Sequence, residues 1–152
     1  MQLKVKKLHK DAVLPRYASA GAACFDLHAI GSVQLELNNS RTQRFRTGLS
    51  FEIPKGWVML IFSRSGHGFK FDTRLANCVG VIDADYRGEV MVKLTFDGDM
   101  DGSDEVNPVP FFGQNDRIAQ AMLVQIPQVE LVEVDELSDT VRGSGGFGST
   151  GS

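Results

Sequence analysis

The segment richest in reactive side chains is Gly80-Val81-Ile82-Asp83-Ala84-Asp85-Tyr86-Arg87-Gly88-Glu89. Asp83 and Asp85 stand at i and i+2, on one face if the segment is extended. A carboxylate held among apolar neighbours such as Val81 and Ile82 can serve as a general base toward water. Tyr86 offers a ring that can stack on a sugar or a base. The plain alternative is an acidic β-turn with a solvated pair of aspartates. A second segment, Ser63-Arg64-Ser65-Gly66-His67-Gly68, combines a forked cation, a hydroxyl and two glycines. Glycines let backbone N–H groups approach an anion closely, and a helical turn beginning at Ser65 would add partial positive charge. The segment reads either as a phosphate cradle or as an ordinary strand-to-turn junction with a surface arginine.

Three further segments carry weaker signals. The tail from Arg142 to Ser152 is rich in glycine and serine and holds Phe147, Ser149 and Thr150. It lacks the Gly-Lys-[Ser/Thr] of a Walker A loop. One aromatic amid glycines suits a lid that stacks on a planar ligand, mobile until the ligand orders it; a disordered end would also explain the composition. In Asn115-Asp116-Arg117-Ile118-Ala119-Gln120 the amide of Gln120 falls in an apolar run with Met122 and Val124 on its face. A buried amide there needs a backbone or ligand partner. Asp26, after the small residues of Ala20-Gly21-Ala22-Ala23-Cys24-Phe25, could orient waters around a hard cation such as Mg2+ or satisfy donors in a turn. Separately, Asp97-Gly98-Asp99-Met100-Asp101-Gly102 opens like a calcium loop, but its twelfth position is Pro108, and its flanks read as strands.

The elements that must hold these residues have a period of two. Val33, Leu35 and Leu37 alternate with polar residues, as do Leu49, Phe51 and Ile53, and Val90, Val92, Leu94 and Phe96. Each reads as a half-buried strand. Segments 57–62 and 118–126 are apolar on both faces and read as central strands. The runs around Asp83 read as two strands joined by a charged hairpin, and one short helical turn is expected after Ser65. Many short strands punctuated by Pro and Gly suggest an antiparallel sandwich, barrel or jelly roll. At 152 residues there is room for one domain, large enough to fold without a disulfide or metal.

With 16 basic and 19 acidic residues the net charge is −3. A mildly acidic chain argues against a general binder of nucleic-acid polymer or membrane surface. The longest apolar run, Trp57 to Phe62, is far shorter than the ~20 residues of a spanning helix. The N-terminus has no signal-peptide core, and the two cysteines, Cys24 and Cys78, lie far apart, so a reduced cytoplasmic protein is expected.

In order, the five segments resemble the five motifs of the trimeric dUTP nucleotidohydrolase (dUTPase) family. The most specific pieces are GVIDADYRGE, DRIAQ and RGSGGFGSTG. The resemblance implies an all-β, jelly-roll-like domain over 1–141, a mobile lid arm over 142–152, and a homotrimer whose sites draw on all three chains. It implies hydrolysis of dUTP to dUMP and pyrophosphate with Mg2+, which lowers dUTP, supplies dUMP for dTTP synthesis and keeps uracil out of DNA. Asp83 would orient the attacking water. Tyr86 would pack on deoxyribose and leave no room for a 2′-hydroxyl. The hairpin from Asn77 through Val81 to Tyr86 would read uracil. Arg64, Ser65, Gly66 and Gln120 would hold phosphates, and Asp26 would sit behind the metal's waters. Arg142, Phe147, Gly148, Ser149 and Thr150 would form the lid, with Phe147 over the base.

The chain departs from the family pattern at Cys24-Phe25, at Ser63 where a proline is frequent, at Asn115 where a glycine is frequent, and in a longer acidic loop. A dCTP deaminase of the same fold is the nearest rival, although no glutamate stands in a suitable motif and the Phe-containing tail favours the hydrolase. A nucleotide-gated regulatory protein is the other, with loop 97–105 as its partner surface.

Overall fold

The structure, a computed structural model, describes residues 1–33, 42–98 and 112–146. The order of elements is β1 (Lys4–Lys7), β2 (Phe25–His28), β3 (Ser32–Val33), β4 (Thr42–Arg46), β5 (Leu49–Glu52), β6 (Trp57–Phe62), α1 (Ser65–Phe71), β7 (Thr73–Leu75), β8 (Val79–Ile82), β9 (Met91–Phe96) and β10 (Arg117–Gln125). Two four-stranded antiparallel sheets make the body. One runs β2-β10-β6-β8 and the other β3-β4-β9-β7; β1 and β5 form a separate pair. This is the antiparallel jelly-roll-like sandwich with one short helix that the alternation calls for.

The reason lies in which faces are apolar. Val92, Leu94 and Phe96 of β9 are buried, while Met91 and Lys93 are exposed and Thr95 is half-buried. Val92 and Leu94 meet Phe25 and Leu27 of β2, Phe45 of β4, Met59 and Ile61 of β6, and Ala119 and Ala121 of β10 in one apolar cluster. The two runs expected to be central are central: β6 lies between β10 and β8, and β10 between β2 and β6. In the Leu49–Glu52 strand both faces are covered, because Ser50 is buried with its hydroxyl donating to the Arg87 carbonyl at 2.7 Å. Beyond Val33 the strand read over 33–37 lies outside the described residues.

One expectation is corrected. The charged segment 83–89 does not close a hairpin, since β8 pairs with β6 while β9 pairs with β4 and β7. The segment carries the chain from one sheet to the other, as does the turn at Asn77 between β7 and β8. Period-two patterning fixes which face a side chain occupies but not which strand is the neighbour. From Ile126 to Gly146 the chain forms no strand or helix, and it exposes large apolar side chains, Leu131 and Leu137 at 91% and 87%. No described helix is long and apolar enough to cross a membrane.

Candidate active site

Because β8 and β9 leave in different sheets, a cavity opens between them. It has a volume of about 370 Å³ and is lined by Asn77, Gly80, Val81, Ile82, Met91 and Lys93, among others. A second hollow of about 260 Å³ continues it past Val81, Ile82 and Met91 to Asp83, Tyr86 and Glu89. Asn77, Val81, Asp83 and Tyr86, chosen from the sequence as binding residues, thus line one groove. Gly80 keeps it open: it pairs with Ile61, and a Cβ there would stand 3.1 Å from the Ile61 Cβ.

The turn at the groove's mouth is braced from several sides. The Asp83 carbonyl accepts the Tyr86 N–H at 3.2 Å. Tyr86 Oη donates to the Glu89 carbonyl at 3.1 Å, and its ring lies over Gly88, where a Cβ would fall 2.6 Å from Cζ. Arg87 donates to the Ala84 and Tyr86 carbonyls at 2.7 and 3.0 Å. The Glu89 carboxylate accepts Arg46 Nε at 3.0 Å and the Gly48 N–H at 2.8 Å, tying the turn to the β4–β5 corner. Glu89 is a residue the sequence reading gave no role. Its partners lie 43 and 41 positions away, so no local pattern signals them. The Asp83 side chain is exposed, not enclosed by the apolar neighbours the sequence suggested.

The second cluster forms where β2, β10 and β6 run side by side. Gln120 faces Asp26 on one side and Phe62 on the other. Its amide donates to the Ser63 carbonyl at 2.9 Å, which answers the question of its partner with backbone. Ser63 also accepts the Leu75 N–H on its hydroxyl at 2.9 Å, a bond that a proline there could not form. Arg64 is the N-cap of α1, and Ser65 and Gly66 lie exposed in its first turn, where backbone N–H groups have no partner within the helix. Arg64 Nε donates to Asp26 Oδ1 at 3.1 Å, and Arg117 Nη1 approaches Asp26 Oδ2 at 3.4 Å. Asp26 is thus the anchor of two guanidiniums. Asn115 takes φ 68°, a left-handed conformation that asparagine tolerates and glycine favours.

His67, one turn into α1, is buried with its ring 4.5 Å from that of Phe112. Burial first, and the Arg64 charge second, push its pKa below the ordinary value. Burial likewise lowers that of His28 on β2. Among the described residues no group of three or more His, Cys, Asp or Glu could cage a metal.

Asp83 stands apart from Arg64 in one chain, although Val79 at the other end of β8 pairs with Phe62. Ile82 pairs with Met59, so Asp83 falls opposite Val58, and Arg64 lies six residues further along. At ~3.3 Å per residue the separation along the sheet is about 20 Å. Arg142 donates to the Gly145 carbonyl at 2.8 Å, within the tail itself. Phe147, Gly148, Ser149 and Thr150 lie outside the described residues, as does most of loop 97–105. Asp97, the first acid of that loop, is held by Arg74 at 2.6 Å.

The family model described as dUTPase matches residues 10–151. The deoxyuridine 5′-triphosphate nucleotidohydrolase of Nautilia profundicola is 44% identical over 151 residues, covering 99% of each chain. That of a Picosynechococcus species is 41% identical with the same coverage. Among solved structures, the dUTPase of Staphylococcus bacteriophage 80alpha with dUPNHPP superposes at a TM-score of 0.82, with 29% identity and 99% of both chains covered. The ordered motifs, the two-sheet sandwich and matches spanning nearly the whole chain agree, and the chain belongs to the dUTPase family.

Proposed function

We propose that this chain hydrolyses dUTP to dUMP and pyrophosphate. The observation that carries the reading is the continuous groove from Asn77 along Val81 to Asp83 and Tyr86, in a chain of this family. Uracil enters the slot beside Asn77 and Gly80, and deoxyribose lies against Tyr86. That ring, braced by its bond to the Glu89 carbonyl, would exclude a 2′-hydroxyl, so discrimination against UTP is steric. Asp83, exposed at the groove's mouth, takes the proton from a water that attacks the α-phosphorus. Positioning and charge neutralisation do most of the work in such a transfer.

The cradle of Arg64, Ser65, Gly66 and Gln120 binds phosphate, but not for its own groove. The separation of about 20 Å between Asp83 and Arg64 is further than the triphosphate reaches from its α-phosphorus. The site is therefore shared: one copy supplies the groove, a second the cradle, and the arm with Arg142, Phe147, Gly148, Ser149 and Thr150 closes from a third. The apolar side chains exposed between Val129 and Leu137 support this homotrimer, since such a stretch is ordinarily covered in an assembly.

The donor set fits a metal carried in by the substrate. A Mg2+ ion arriving with phosphate would need few protein ligands. When bound, Mg2+ would supply neutralisation of phosphate charge. Asp26 has lone pairs beyond those that Arg64 and Arg117 engage, and would contact the ion's waters.

Asp83→Asn tests the assignment. The variant should bind a non-hydrolysable dUTP analogue as the wild type does and lose most of its turnover. Turnover within about tenfold of wild type, well short of the roughly 10²–10⁴-fold that a general base contributes, would remove Asp83 from the role.

A further inference from the structure

We propose that His67 is a positioning residue for Arg64, holding its guanidinium from the side opposite Asp26. The inference rests on the reading of Arg64 as a phosphate ligand. Arg64 Nη1 lies 3.3 Å from His67 Nε2, while Nε is engaged by Asp26 Oδ1 at 3.1 Å. A guanidinium can only donate, so Nε2 is the acceptor and the ring hydrogen sits on Nδ1. Nδ1 is buried and, among the described residues, has no partner.

An unpartnered buried polar atom is destabilising. If His67 only filled space against Phe112, a leucine would serve without that penalty. The ring nitrogen is explained by what its other edge does. Two of the five N–H donors of Arg64 are occupied, the side chain is fixed at two points, and the remaining donors are left for an anion. The ring also stays neutral, as an acceptor must: burial and the neighbouring Arg64 both disfavour a proton there.

The arrangement predicts an opposition between stability and binding. In the full-length enzyme, His67→Leu removes the acceptor and the orphaned nitrogen together. KM for dUTP should rise about tenfold, the weight of one hydrogen bond to a charged group, with kcat little changed because the bond serves ground and transition states alike. Its melting temperature should equal or exceed that of the wild type. His67→Gln, whose amide oxygen can accept from Nη1, should recover most of the loss in KM. A folded His67→Leu enzyme with wild-type KM, or one that loses kcat and melting temperature at unchanged KM, overturns the proposal. Arg64→Ala in the same assay separates the two layers. If it raises KM while His67→Leu does not, only the positioning role falls. If it leaves KM unchanged, the phosphate cradle falls with it.

Discussion

Replacing Gly80 by alanine adds one methyl at the floor of the groove. Its Cβ would lie 3.1 Å from the Ile61 Cβ and 3.6 Å from both Cγ1 and Cδ1 of that residue. Carbon atoms rest at ~3.5–4.0 Å, so β8 and β6 must part by about 0.5 Å at this pair. Ile61 cannot easily yield, for it is 3% exposed and its strand is held on the other side by β10 at Ala121. Overpacking of this kind costs about 1–3 kcal/mol. In a domain of this length each kcal/mol is worth ~2–4 °C, so melting should fall by at least about 2 °C. The same methyl stands in the proposed uracil slot, and one misplaced methyl is worth roughly tenfold or more in kcat/KM. Thermal unfolding and steady-state kinetics on the same preparation read both effects. A lowered melting temperature with unchanged kcat/KM would show that the base binds elsewhere. No change in either would show that the Gly80–Ile61 contact is not as tight as its geometry indicates.

Three other outcomes follow from the same geometry. Mixing Asp83→Asn with Arg64→Ala under conditions that exchange subunits, at dUTP too dilute to saturate Arg64→Ala, should raise turnover above the sum of the two alone, since some sites then combine an intact groove with an intact cradle; absence of a gain despite proven exchange would place both residues in one chain's site. Removing residues 142–152 should leave melting unchanged and sharply reduce turnover, and an unaltered rate would mean that the tail closes nothing. His28 and His67 have pKa values held below 6.5 by burial, so the unfolded chain takes up protons first as the pH drops. Their contribution to stability is complete above about pH 6.5 and is lost as the pH falls through the lower folded values. Melting temperature should decline from pH 7 to pH 5, and less steeply in His67→Leu; equal slopes would show that His67 is not held neutral.

What the sequence disclosed follows from how each element is buried. Strands β6 and β10, flanked by a strand on each edge, stand out as continuous apolar runs, and β9 as an alternation of buried Val92, Leu94 and Phe96 with less buried neighbours. Strand β4 was invisible because, of Thr42–Arg46, only Phe45 is buried. Strand β2 was masked by the chemistry of Asp26, and β7 is three residues long. The hairpin expected around Asp83 failed because two adjacent amphipathic runs can each join a different sheet. In the site, the residue types at Asp83, Tyr86, Arg64 and Gln120 were readable from local spacing. The ties that hold them were not. Glu89 reaches Arg46 and Gly48 across the fold, Asp26 meets Arg64 only through the register of β2, β10 and β6, and the tautomer of His67 depends on burial.

The most direct test of the central claim is pyrophosphate release with Mg2+ from dUTP, dCTP, dTTP, UTP and dATP at equal concentration. If uracil enters the groove beside Gly80 and deoxyribose lies against Tyr86, as proposed, strong release is expected from dUTP alone, because a 5-methyl group would clash with the slot and a 2′-hydroxyl with the ring. Comparable release from UTP or dTTP would contradict the assigned groove. No release from dUTP would contradict the activity itself.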